Sequence, residues 1–328
     1  MNAHAVAAPI PAQRPASGNL PRFAWGLLAY NVAVILWGGL VRATGSGAGC
    51  GEHWPLCNGT VVQHSPSIET MIEMTHRITS GITVIAMLAL VVWTFRGTVR
   101  KHIARVTVVA AAILMLNEAF LGALIVILGK VARDQSPSRG AYLSLHLANT
   151  LLLVAALTLT AHFLSRKIGF LRGNVAYHSI GIAACGLVAT LFVGVSGSLA
   201  ALGDSLYPST SLRSAIQADF ATTSTLLLRL RWLHPVLGFA AGLFICWLVY
   251  RSVFQRGHWN NRQLALSVIG LLLLQYTLGV ADVMLLAPVW MQIVHLLGAD
   301  LLWIALVVLA ARLCVQPIAL PEGSLSRG

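Results

Sequence analysis

The chain has 328 residues, 57% of them hydrophobic and only 10% charged, with a mean hydropathy of +0.78. That composition excludes an ordinary soluble domain and points to an integral membrane protein. The net charge of +12 would suggest nucleic acid in a soluble domain, but in a membrane protein it is the basic excess of the cytoplasmic loops, so nucleic-acid binding is set aside.

Residues 1–22 are rich in Ala and Pro and hold no apolar run of signal-peptide length, so a disordered cytoplasmic tail is expected there. Apolar runs of about 20 residues, enough to cross a bilayer as a helix, follow at 23–41, 74–95, 106–128, 141–164, 175–198, 230–250, 264–286 and 289–313, and 314–328 form a second tail. The connections FRGTVRKHIAR, SRKIGFLRGN and RSVFQRGHWNNR are short and basic. With both tails on their side, 14 of the 22 Lys and Arg lie there and eight lie opposite. The positive-inside rule then places both termini in the cytoplasm and predicts a multi-pass protein of the cell inner (plasma) membrane.

The first outer connection, VRATGSGAGCGEHWPLCNG at 41–59, sets Cys50 and Cys57 among five glycines. On the outer side of a bacterial plasma membrane a disulfide is favoured over buried thiols. Cys185, Cys246 and Cys314 fall in apolar spans and read as small apolar residues.

Further along, the chain repeats itself. EMTHRITSGITVIAMLALVVW overlays RWLHPVLGFAAGLFICWLVY and aligns His76 with His234. NEAFLGALIVIL overlays LQYTLGVADVML, matching Glu118 with Gln275 and Gly122 with Gly279, and LHLANTLLLVAAL overlays VHLLGADLLWIAL, matching His146 with His295. An even number of spans per repeat makes the copies parallel. The predicted fold is therefore an all-α membrane protein of eight transmembrane helices, built as two four-helix halves, 23–164 and 175–313, about a pseudo-two-fold axis along the membrane normal.

His76, His146, His234 and His295 each fall near the outer start of an even-numbered span. A single intramembrane His is an ordinary packed residue, but four at matched depth suggest function, and imidazole is a common metal ligand. Two facing histidines per half suit a bis-imidazole haem. Zinc is the rival metal, although it usually recruits a carboxylate, a thiolate or a tight local cluster as well. Arg77, Arg229 and Arg231 lie at the water-facing ends, as propionate partners or as interfacial snorkelling side chains. His102, His162, His178 and His258 sit toward the inner side without repeat partners. Glu73, three residues before His76, shares its helix face and is either a proton acceptor or cation stabiliser, or an interfacial partner of Arg77; its counterpart in the second half is Arg231. Glu118, Asp282 and Asp300 are structural or relay candidates.

GGLVRATGSGAGCGEHWPLCNG, EMTHR, LHLANT, LHPVLG and VHLLGAD, in that order from about Trp25 to Leu313, resemble the haem A synthases. The resemblance implies oxidation of the C8 methyl of haem O to the formyl group of haem A, for assembly of cytochrome c oxidase. It implies His76 and His146, with Arg77, as substrate-haem residues, and His234 and His295, with Arg231, as holders of a haem B cofactor. Glu73 takes the place of the family's acidic residue, and Cys50 and Cys57 that of its outer-loop pair. Expected partners are haem O, haem O synthase and oxidase assembly factors, with room for a homo-oligomer. Some members carry a second cysteine pair in the corresponding second-half loop; AALGDSLYPSTSLRSAIQADFATTSTLLL has none. A di-haem cytochrome b that only relays electrons fits the same histidines, and a parallel-repeat transporter fits the architecture without them.

Overall fold

The computed structural model describes residues 18–60, 64–132, 134–166, 177–255 and 259–314. Ten α-helices carry the described chain: α1 Asn19–Ala43, α2 Ile68–Gly97, α3 Ile103–Ile127, α4 Pro137–Ser165, α5 Tyr177–Leu206, α6 Leu212–Phe220, α7 Leu226–Leu230, α8 Leu233–Val249, α9 Arg262–Met284 and α10 Val289–Cys314. Eight segments are long and apolar enough to span a membrane, with α7, α8 and the π-helical turn Tyr250–Gln255 forming one of them. The protein is thus an all-α, multi-pass membrane protein, as the apolar runs predict.

The helices run past the apolar stretches, and local chemistry explains where they stop. Helix α1 already includes residues 19–22, which the sequence reading assigns to a disordered tail. It ends at Thr44 with Gly45 at φ 71°, a left-handed conformation that glycine adopts without strain. Helix α2 starts at Ile68 rather than 74, because the Ser67 hydroxyl accepts the Thr70 N–H at 3.2 Å and Glu69 sits in the first turn, where the helix dipole favours an anion. Glu73 is therefore helical. The short helix α6, absent from the sequence reading, is capped by reciprocal Ser211 and Ser214 bonds.

The packing partners of the two halves correspond. Helix α3 packs on α4 as α9 packs on α10, α1 on α2 as α5 on α8, and α1 on α4 as α5 on α10. Between halves, α4 meets α5 and α10 meets α1, while α4 and α10 touch each other. The Trp303 indole N–H donates to the Leu151 carbonyl at 2.8 Å across that last contact. One apolar cluster, with Leu20, Leu90, Val108, Leu157 and Val307, joins α1 to α4 and α10; a second, with Ile245, Val268 and Leu306, joins α8, α9 and α10. Both lie toward the end where α2, α4 and α10 finish. The opposite end, where α1 finishes and α2, α4 and α10 begin, is left for polar groups.

Candidate functional site

All four repeated histidines lie at that polar end, each within the first three turns of its helix. Arg42 at the end of α1 holds the two halves level there: it donates to the Ala201 carbonyl at 2.7 Å, to Ser205 Oγ at 3.1 Å and to Gln292 Oε1 at 2.7 Å. Each imidazole faces a glycine on the preceding long helix. A Cβ placed on Gly38 of α1 would lie 3.0 Å from His76 Cε1, and one on Gly197 of α5 would lie 2.9 Å from His234 Cε1. On Gly279 of α9 it would lie 3.3 Å from His295 Cε1, and on Gly122 of α3 3.7 Å from His146 Cε1. The missing side chains make room for the rings.

In the second half the rings of His234 and His295 have centroids 6.3 Å apart and planes at 85°. Two imidazoles on opposite sides of one metal, at nitrogen–metal bonds of about 2 Å, would have centroids about 6 Å apart. His234 Nδ1 lies 3.2 Å from both the Val193 carbonyl and Ser196 Oγ. Donation to that carbonyl would leave Nε2 as the ring's free lone pair. Among the described residues no three His, Cys, Asp or Glu side chains gather as a metal-ligand set. Zinc therefore lacks its usual partners here, whereas a porphyrin iron needs only two protein ligands.

The remaining histidines separate from these. His102 accepts the Ala104 N–H at 3.1 Å as the N-cap of α3, and burial, with Arg105 adding to it, holds its imidazole below the ordinary value. His162 is buried edge-on to Phe163. His4, His258 and the side chain of His178 lie outside the described residues.

Beside His76 the carboxylate of Glu73 is buried, at 3% exposure. Its Oε2 accepts the Cys50 N–H at 2.8 Å, and its Oε1 accepts Arg77 Nε at 3.1 Å and Nη2 at 2.5 Å. Arg77 Nη1 donates to the carbonyls of His53 and Leu56, both at 2.7 Å. Cys50 and Cys57 are disulfide-bonded and fully buried. Thr70 Oγ1 donates to the Gly49 carbonyl at 2.7 Å, and a Cβ on Gly49 would lie 2.5 Å from the Glu69 backbone. The loop is thus fastened to the first two turns of α2, and Glu73 is one of its fasteners. Gly47 also faces Val131, which brings the chain just after α3 against the loop.

In the second half Arg231 occupies the place of Glu73. Its Nη1 donates to Asp204 Oδ1 at 2.8 Å, and its Nη2 pairs at 3.0 Å with Asp219 Oδ1, off-line for a hydrogen bond. Burial pushes the Asp219 carboxyl above its ordinary value, and Arg231 opposes the shift. Arg77 and Arg231, the expected propionate partners, thus both also contact protein groups. Arg229 Nη2 reaches the Thr222 carbonyl at 3.4 Å.

Of the relay candidates, Glu118 stands beside His146, with its Oε1 3.5 Å from Nδ1. Asp300 is buried at 1% exposure, with Oδ2 unpartnered, and Asp282 Oδ1 is also buried without a partner. Sequence reasoning missed Gly38, Gly197, Asp204, Asp219 and Arg42. Arg42 lies in the VRATG stretch and Asp204 and Asp219 between the fifth and sixth apolar runs, outside the overlaid segments, so the repeats gave no signal for them.

A family model described as cytochrome oxidase assembly protein matches residues 21–307. Over 298 residues, 90% of its length, the chain is 43% identical to a Thermus thermophilus protein named protohaem IX farnesyltransferase, covering 48% of that protein. It is 40% identical over 124 residues, 38% of each chain, to a haem A synthase of an Exiguobacterium species. With the haem A synthase of Bacillus licheniformis it shares 33% identity over 150 residues, 45% of this chain and 49% of that one. These matches span half or less of the length of each relative.

Proposed function

The chain belongs to the COX15-CtaA family of cytochrome oxidase assembly proteins, and on that premise we propose that it is a haem A synthase, an oxidoreductase that converts the C8 methyl of haem O to a formyl group. The observation that carries the reading is the glycine-backed quartet of His76, His146, His234 and His295 at one end of the bundle, with a buried carboxylate, Glu73, in one half only. The Thermus relative, named for the farnesylation of protohaem, is about twice as long as the region it shares with this chain. That supports a farnesylated protohaem as substrate, a haem O synthase as supplier, and oxidase assembly factors as partners. The reading places the chain in the cell inner membrane with both termini cytoplasmic.

His76 and His146 would both hold the iron of the substrate, a ligand set that would leave no position for oxygen. Water then supplies the formyl oxygen. A methyl plus water gives the alcohol with loss of two electrons and two protons; a second round gives the geminal diol, which loses water to the aldehyde. Glu73, fixed as an anion by Arg77 and the Cys50 N–H, stabilises positive charge developing at the methyl and accepts its protons. Haem B, held by His234 and His295, would supply one-electron transfer toward an external acceptor. The loop fastened by Glu73 and Arg77 keeps bulk water from the first-half site.

A visible spectrum with extracted-pigment analysis of the purified protein tests the assignment. Haem B together with haem O or haem A is expected, and haem B alone in cells supplied with haem O would favour the electron-relay cytochrome. Labelling with oxygen-18 tests the route: formyl oxygen derived from molecular oxygen, with carbonyl exchange excluded, overturns it.

A further inference from the structure

Of the four histidines, among the described residues, His146 is the one with a carboxylate oxygen within 4 Å of a ring nitrogen. Glu118 Oε1 faces its Nδ1 at 3.5 Å. The carboxylate is held on both oxygens: Asn149 Nδ2 donates to Oε2 at 2.5 Å, and the Thr150 hydroxyl meets Oε1 while sharing its one hydrogen with the His146 carbonyl at 2.9 Å. Asn149 is fixed in turn by the Leu114 carbonyl at 2.9 Å and by Asn117 Nδ2 at 2.8 Å. The cradle thus fixes where the Glu118 carboxylate sits, with Oε1 turned toward His146.

The second half lacks every part of this cradle. Leu274 stands for Asn117, Gln275 for Glu118, Gly298 for Asn149 and Ala299 for Thr150. Gln275 Nε2 turns to the carbonyl of His295 itself at 3.0 Å, and a Cβ on Gly298 would lie 2.7 Å from that nitrogen, so the glutamine fills the room that Asn149 takes in the first half. Neither His146 Nδ1 nor His295 Nδ1 makes a hydrogen bond, and the two differ in that His146 Nδ1 has the Glu118 carboxylate 3.5 Å away.

We propose that Glu118 is a positioning residue that polarises His146 through Nδ1, so that an iron held by His146 has a lower reduction potential than one held by His234 and His295. A carboxylate at the second nitrogen makes an imidazole a stronger electron donor, and ligand basicity with outer-shell hydrogen bonding sets haem potentials. The effect favours electron flow from the first half to the second. It rests on the haem-binding reading above.

The full-length protein, purified and loaded with protohaem IX, is titrated spectroelectrochemically. Wild type should show two midpoint potentials. Glu118→Gln should raise one of them and leave the other unchanged. Thr150→Val keeps the side-chain volume but frees Oε1 for His146, and should move the same midpoint in the opposite direction. A purely structural role would not reverse sign. Where Glu118→Gln fails to hold haem, Thr150→Val decides: no shift, or an upward one, overturns the proposal. Two bound haems with unmoved potentials in both variants overturn it alone, whereas a wild type that binds no haem overturns the functional reading and this inference with it.

Discussion

The two halves close their histidine ends with opposite arrangements of charge. In the first, helix α2 supplies the carboxylate of Glu73, and Arg77 one turn on ties it to the disulfide loop. In the second, Arg231 stands in that place and the carboxylates come to it, Asp204 from α5 and Asp219 from α6. The ring seats are alike, glycine by glycine, while the charge next to the ring is inverted. A fixed anion a turn from His76 favours positive charge developing nearby. At the matching place a cation tied to two carboxylates holds a cap.

Removing the charge in the half that is proposed to react should have the largest effect. Glu73→Gln keeps an acceptor for the Cys50 N–H but loses the anion, and haem A formation should fall by roughly 10²- to 10³-fold, the scale of losing one preorganised electrostatic contact. The haem content should stay at the wild-type level. Unchanged turnover would remove Glu73 from the chemistry and leave it a fastener of the loop. Next comes the mirror experiment. Arg231→Gln leaves Asp204 and Asp219 facing each other without their cation, which should lower stability by about 3 kcal/mol, read as a drop in the thermal midpoint of the haem-loaded protein. If turnover per haem-loaded molecule fell as far as in Glu73→Gln, the two caps would not differ in the way described.

The disulfide ranks third. Cys57→Ala opens a short loop, with a sequence separation of 7 between the bonded cysteines, and should cost about 2–3 kcal/mol, with loss of haem from the first half as the loop loosens. A folded, haem-loaded but inactive Cys57→Ala protein would show instead that the thiols take part in chemistry.

The spans, the fold class and the depth of the four histidines were legible because apolar run length and fixed repeat spacing are properties of the chain itself. The start of α2 was not: Glu69 and Glu73 interrupt the apolar run, and hydropathy reads that as a loop, whereas a Ser67 cap and a buried ion pair make it helix. The pairing of Arg231 with Asp204 and Asp219 was not legible either, since they lie 27 and 12 residues before it in the chain and only the fold brings them to it. Gly38 and Gly197 were hidden for a related reason. A glycine in an apolar helix means little until the neighbour facing it is known.

That last point yields the smallest and most graded test. If the glycines are seats for the rings, the effect of adding one methyl should follow the room available at each. Gly197→Ala would put Cβ 2.9 Å from His234 Cε1 and Gly38→Ala 3.0 Å from His76 Cε1, so each ring must give by a few tenths of an ångström, while Gly122→Ala would meet His146 Cε1 at an ordinary 3.7 Å. Overpacking of this kind typically costs about 1–3 kcal/mol. Haem per protein should therefore fall in Gly197→Ala and Gly38→Ala, each in its own half, and hold in Gly122→Ala. Equal losses in all three would mean that the glycines only let the helices approach, and that the rings find their places without them.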